Sequence, residues 1–166
     1  LAQTTQSTRR ALHELYESTG GANWNYTNMA ECFDGTGKAW DFSTNAKGEY
    51  VVDPCSDESH FVGIRCTDDW VVTNVTLACG NLIGTIPEFS NMTQLQYLDL
   101  SHNQLTGTIA AFTNMTQVQY LDLALNQLTG TIPASSNMTP LPNLEAVRTE
   151  TAVTNPAATH KTPVPH

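Results

Sequence analysis

Positive charge is what this sequence has least of. Its 166 residues hold 7 Lys plus Arg against 16 Asp plus Glu, for a net charge of -9. Nucleic acids and anionic membranes are recognised by clustered cations, so neither is expected as a partner. Charged residues of both signs make up only 14% of the chain, against about 25% in an ordinary soluble domain, which leaves Thr and Asn to carry solubility. No apolar run approaches the roughly 20 residues of a membrane span, so no direct membrane insertion is expected. A basic start leading into an apolar stretch and a small-residue cleavage site is also missing, and any secretory signal is expected to have been removed.

Catalytic signatures are equally scarce. His13-Glu14 begins like a two-histidine zinc helix, but Glu17 stands where the second His must be. The chain has no G-x-S-x-G elbow and no glycine loop that would cradle phosphate. Neither an enzyme nor a cofactor is expected.

Cations are also unevenly placed: residues 1–70 carry 5 of them, residues 71–147 none and residues 148–166 the other 2. The cation-free stretch is rich in Leu, Val and Ile, so a regular structure must bury them. Residues 72–94, 95–117 and 118–140 align without a gap at a period of 23, and a partial copy follows at 141–147. Within each period Leu95, Leu98, Leu100, Asn103 and Leu105 recur as Val118, Leu121, Leu123, Asn126 and Leu128. On a strand, Leu98 and Leu100 point to one face, while Gln96, Tyr97, Asp99 and Ser101 are expected to meet solvent. One period cannot bury its own apolar side, so successive periods are expected to stack over a shared core. Asn103 and Asn126 fall where the chain leaves the strand, where an amide can satisfy backbone groups that the bend leaves unpaired. Gly80 takes this place in the first period, which suggests a turn shaped by a neighbouring cap.

The spacing L-x-x-L-x-L-x-x-N-x-L at this period is the leucine-rich-repeat signature. Gly84-Thr85-Ile86-Pro87, Gly107-Thr108-Ile109-Ala110 and Gly130-Thr131-Ile132-Pro133 further resemble plant-type extracellular leucine-rich repeats, seen in receptor ectodomains and polygalacturonase-inhibiting proteins. The resemblance implies a second short strand at this signature. It also implies an α/β repeat solenoid: a short right-handed coil with a parallel concave β-sheet and a disulfide-bonded N-terminal cap containing a helix and a hairpin. Phe89, Met92, Phe112 and Met115 look like core anchors on the convex side.

Residues 1–71 read as the cap. A helix is expected from Ser7 or Thr8, with Ala11, Leu12, Leu15 and Tyr16 on one face and Gly20-Gly21 ending it. An irregular stretch follows Trp24, then residues 39–52 read as a hairpin turning near Asn45 to Gly48. Asp53-Pro54-Cys55 and Gly63-Ile64-Arg65-Cys66 resemble the family's cap, with Phe61 in place of its usual Trp. By that resemblance Cys55 pairs with Cys66, leaving Cys32 for Cys79, and no thiol remains as a nucleophile. The rival zinc site is disfavoured because no C-x-x-C pair exists. Residues 148–166, rich in Thr, Pro and Ala, read as a flexible tail.

The function expected is non-catalytic extracellular recognition of a protein, peptide or glycan on the concave face, in adhesion, signalling or defence. Gln96, Tyr97, Asp99, Ser101, Gln119, Tyr120, Asp122, Asn143 and Glu145 are the candidate contacts. Asp99 and Asp122 on neighbouring strands superficially resemble a hydrolase dyad, but the family places Asp there without catalysis, and His102 beside them reads as a surface residue. Asp53, Asp57, Glu58, Asp68 and Asp69 lack the alternating spacing of a calcium loop and read as a solvated acidic rim. Asn25, Asn91 and Asn114 are the favoured glycosylation acceptors, ahead of Asn74 on a strand and Asn137. An alternative is ice binding by two threonine columns on the flank, Thr85, Thr108 and Thr131 beside Thr106 and Thr129. The open last period also allows a weak homodimer.

Overall fold

A computed structural model of the chain describes residues 3–33, 37–56, 60–89, 91–108 and 117–129. Helix α1 spans Gln6–Ser18 and starts one to two residues before the expected position, because Thr5 is its cap and accepts from the Thr8 amide at 3.2 Å. Every residue of the Thr-Thr-Gln-Ser-Thr run but one can cap a helix, so composition leaves the choice open. Ala11, Leu12 and Leu15 are buried on its inner face, and Gly20 ends it in the left-handed region at φ 71°.

A 3₁₀ turn at Gly21–Asn23 leads into helix α2, Tyr26–Cys32, where the sequence suggested irregular structure. Asn25 caps α2 by accepting from the Asn28 amide at 3.0 Å. Seven residues are too few to form a helix on propensity alone. Met29, fully buried, and the disulfide from Cys32 to Cys79 hold it on the first repeat. The second bridge joins Cys55 to Cys66. All four cysteines are thus paired as the resemblance implied, and a zinc site loses its ligands.

The expected hairpin is reduced to its turn. The Gly48 amide donates to the Asn45 carbonyl, and Thr44 bridges Tyr50, but no strand of any length forms. Most side chains from Asp41 to Glu49 are exposed, so little apolar burial favours a two-stranded ribbon. Phe42 and Tyr50 are the exceptions and pack on α1 through His13. Trp24, Trp40, Phe42 and Phe61 form an aromatic cap core with ring centroids 4.9 to 6.0 Å apart. Both buried indoles are satisfied, Trp24 by the Thr19 carbonyl and Trp40 by that of Val62.

Asp53 was expected on a solvated rim, and the structure corrects this. It is buried and ion-paired to Arg9, also buried, and it accepts from the Thr4 amide and hydroxyl and the Cys55 amide. A carboxylate leaves water only where cations and donors replace its hydration, and Arg9, Thr4 and Cys55 do so here. Asp68 and Asp69 are exposed as expected; Asp57 and Glu58 lie outside the described residues.

The remaining elements form two sheets. In the first, β1 (Ile64–Cys66), β2 (Val72–Thr76), β4 (Tyr97–Asp99) and β6 (Tyr120–Asp122) lie side by side in that order. The repeat strands are parallel and 23 residues in register, Asn74 with Tyr97 and Tyr97 with Tyr120. The cap strand β1 adds to β2 antiparallel, so the sheet as a whole is mixed. The second sheet pairs β3 (Ile83–Thr85) with β5 (Gln104–Thr106) in parallel. Between the sheets, Val75, Leu77, Leu82, Leu98, Leu100, Leu105, Leu121, Leu123 and Leu128 are all essentially inaccessible, as are the anchors Phe89 and Met92. Phe112 and Met115, the partial repeat at 141–147 and the tail at 148–166 lie outside the described residues.

Candidate binding face

The sheet register arranges the polar strand residues into rows. Arg65, Asn74, Tyr97 and Tyr120 are successive partners across β1, β2, β4 and β6, and Thr76, Asp99 and Asp122 form a second row two residues along. Because side chains alternate along a strand, both rows stand on the face opposite Val75, Leu98 and Leu121. The Tyr97 and Tyr120 rings stack at 4.1 Å with 3° between their planes. Burial, reinforced for Tyr120 by its neighbour, holds both phenols above their ordinary pKa.

Each carboxylate is aimed by its own turn. Asp99 Oδ1 accepts from the Ser101 amide at 3.0 Å and hydroxyl at 2.7 Å, and Asp122 Oδ1 accepts from the Ala124 amide at 2.8 Å. Asp122 Oδ2 also accepts from the Tyr120 hydroxyl at 3.3 Å. Burial pushes the Asp99 carboxyl up; the bonds from Ser101 pull it down, the Asp122 charge raises it further, and His102 lowers it. His102 itself is exposed, at φ 55°.

Among the expected contacts, Tyr97, Asp99, Tyr120 and Asp122 come together at this face, while Gln96 and Gln119 are exposed just before the strands. Ser101 does not: it is 5% exposed, because strand alternation ends at Leu100 and the turn folds its hydroxyl under Asp99. Asn143 and Glu145 lie outside the described residues. Beside Tyr97 the face deepens into a cleft of about 580 Å³ lined by Phe33, His60, Arg65, Asn74 and Thr76. The sequence marks Arg65 only as part of the cap motif and does not mark His60, because a three-residue strand shows no periodicity that would place Arg65 on a face.

Behind the face, the two asparagines act as expected. Asn103 Nδ2 donates to the carbonyls of Leu77, Leu100 and Ser101 while its Oδ1 accepts from the Leu82 amide. Asn126 repeats the pattern one period on, with the Leu100, Leu123 and Ala124 carbonyls and the Leu105 amide. At Gly80 a side chain would overlap Met29 and Leu82, and its carbonyl accepts from Asn25 at 2.8 Å. The cap thus occupies the place that an asparagine side chain fills in later repeats.

On the flank, second-sheet partners lie 21 residues apart, Thr85 beside Thr106 and Thr108 beside Thr129. The columns expected at a period of 23 are therefore not the rows the structure builds, and the same offset puts Gln127 beside Thr106. The Thr106 and Thr129 hydroxyls donate to the Gly84 and Gly107 carbonyls. Exposed Ile83 adds an apolar break, and Thr131 lies outside the described residues. Among the described residues nothing on this flank favours an ordered hydroxyl array.

Of the glycosylation acceptors, Asn91 is exposed in a turn, Asn25 is half-buried as a helix cap, and Asn114 and Asn137 lie outside the described residues. No helix among the described residues is long and apolar enough to cross a membrane.

Residues 72–128 match the family model described as leucine rich repeat. No curated protein matches the chain. Among solved structures, the LRR ectodomain of the receptor kinase SOBIR1 from Arabidopsis thaliana aligns at 17% identity and a TM-score of 0.40, over 85% of this chain and 76% of that one.

Proposed function

From the premise that residues 72–128 are leucine-rich repeats, we propose that the chain is a non-catalytic extracellular recognition module that takes its ligand on the face of the first sheet. One observation carries this: two stacked tyrosines stand in register with Asn74 and Arg65 on a face that the described residues leave open. Tyrosines held by packing lose little entropy on binding and contribute heavily at interfaces. Two disulfides support an oxidising compartment. We read residues 1–71 as the cap, 72–147 as the repeats and 148–166 as a tail, with glycans on Asn25, Asn91 and Asn114. The Asn25 cap uses only the side-chain oxygen, leaving its nitrogen for a sugar.

The test is a binding screen against extracellular proteins, peptides and cell-wall glycans. For a ligand so found, Tyr97→Ala and Tyr120→Ala are each expected to weaken binding about tenfold or more. Undiminished binding by both variants, with unchanged circular dichroism, removes the face from consideration. For a homodimer through the last repeat, sedimentation showing only monomer at high concentration is the result that excludes it.

A further inference from the structure

The open face has a direction. Arg65 stands on the edge strand β1, and Asp99 and Asp122 stand two and three strands away on β4 and β6. Two strand spacings are roughly 10 Å. Residues 71–147 contain no Lys or Arg, and among the described residues no cationic side chain forms an ion pair with either carboxylate. One oxygen of each carboxylate is taken by its own turn, which fixes where the group points. Burial and the neighbouring charge already oppose ionisation of Asp99, so a positive charge arriving there relieves a cost present in the free protein. The stacked rings alongside cover each other's inner faces and leave an apolar wall along which an arginine's methylene stem can lie while its guanidinium donates to carboxylates.

Building on the assignment of this face as the ligand surface, we propose that the partner is a polypeptide segment that lays an arginine side chain against the Tyr97–Tyr120 stack onto Asp99 and Asp122. An acidic side chain of the same segment meets Arg65 across the sheet. Charge complementarity selects this occupant: the repeats are anionic throughout, and the guanidinium of Arg65 at the far edge sets which way the segment lies. Lysine fits less well, since a point charge cannot bridge two carboxylates in one plane.

The probe is a short acetylated and amidated Gly/Ser peptide with a glutamate and an arginine three positions apart, about 10 Å in an extended chain. It is titrated into the full, nitrogen-15-labelled chain and followed by amide shifts. Perturbations centred on Tyr97, Asp99, Tyr120 and Asp122, weakened about tenfold by Asp99→Asn with Asp122→Asn and by replacing the peptide arginine with neutral citrulline, are the expected result. If the citrulline peptide or the double Asn variant binds equally well, the charge assignment is wrong while the face stands as a ligand surface. Absence of shifts at these residues at millimolar peptide also overturns the arginine assignment. The face itself is then judged by the tyrosine variants against whichever ligand the screen yields.

Discussion

Asn103 reaches three carbonyls and one amide across two successive repeats; without it the Leu100 carbonyl keeps Asn126 and the Ser101 carbonyl keeps the Cys79 amide, but the Leu77 carbonyl and the Leu82 amide lose their side-chain partner. Stranding a buried polar group costs about 1 to 3 kcal/mol, and relaxation recovers part of it. Asn103→Ala is therefore expected to lower stability by about 3 kcal/mol or more in urea unfolding. Arg9→Met leaves Asp53 charged and buried, at a cost of about 3 to 5 kcal/mol, although the remaining donors from Thr4 and Cys55 moderate it. Asp99 has the opposite sign. Its folded pKa is raised, so the folded state holds its proton more tightly than the unfolded chain, and ionisation opposes folding above that pKa. Asp99→Asn keeps an oxygen for Ser101 and should stabilise the protein at neutral pH by less than about 1 kcal/mol, given solvent screening. The advantage should disappear as pH falls below the ordinary Asp value of about 3.9, which denaturant titrations at both pH values would check. A residue that costs stability while facing outward is the kind expected where a ligand binds.

Among the elements, α2 and the end of α1 depend on contacts rather than propensity. Gly84 has φ 128°, and a side chain there would run into the Ser18 carbonyl, so the end of α1 rests directly on β3. The Ile83 amide completes that contact by donating to the Thr19 carbonyl at 3.0 Å. The Cys32–Cys79 bridge closes a separation of 47 residues and the Cys55–Cys66 bridge one of 11. Loop-closure entropy assigns them about 4 and about 3 kcal/mol. Replacing Cys32 and Cys79 with Ser should therefore lower the melting temperature more than replacing Cys55 and Cys66, and should release α2, whose own burial rests mainly on Met29. Equal losses from the two replacements would mean that α2 holds its place without the bridge.

One apolar cluster runs through the whole described molecule, from Leu12 in α1 through Phe61 and Val75 to Leu128. A continuous core makes cap and repeats unfold together. The sequence supplies the probes: all three tryptophans, Trp24, Trp40 and Trp70, precede the repeats, whereas five of the six strands lie within them. Tryptophan fluorescence and the strand signal in circular dichroism, which among the described residues comes mostly from the repeats, should therefore report the same urea midpoint. Separated midpoints would show that the cap melts on its own and that the junction through Cys79 and Gly80 contributes little.

The repeats were legible because their code is local. A 23-residue period with Leu and Asn in fixed columns dictates which side chains face inward and where the chain bends, and Leu98, Leu100 and Asn103 do as those columns require. Tyr97, Tyr120, Asp99 and Asp122 followed from strand alternation in the same way. Partners distant in the chain were not legible. Burial of Asp53 depends on Arg9, 44 residues away, and Arg65 joins the tyrosine row only because β1 adds to the sheet antiparallel. Ser101 turned inward where alternation stopped, and the flank threonines paired at 21 residues rather than 23. A periodic sequence determines the spacing along the chain and the sidedness of each strand, since both arise from backbone geometry within one repeat. Lateral register in the second sheet, the mixed edge of the first and the charges that end up facing each other are settled only when separate segments compete to satisfy the same backbone groups and fill the same space.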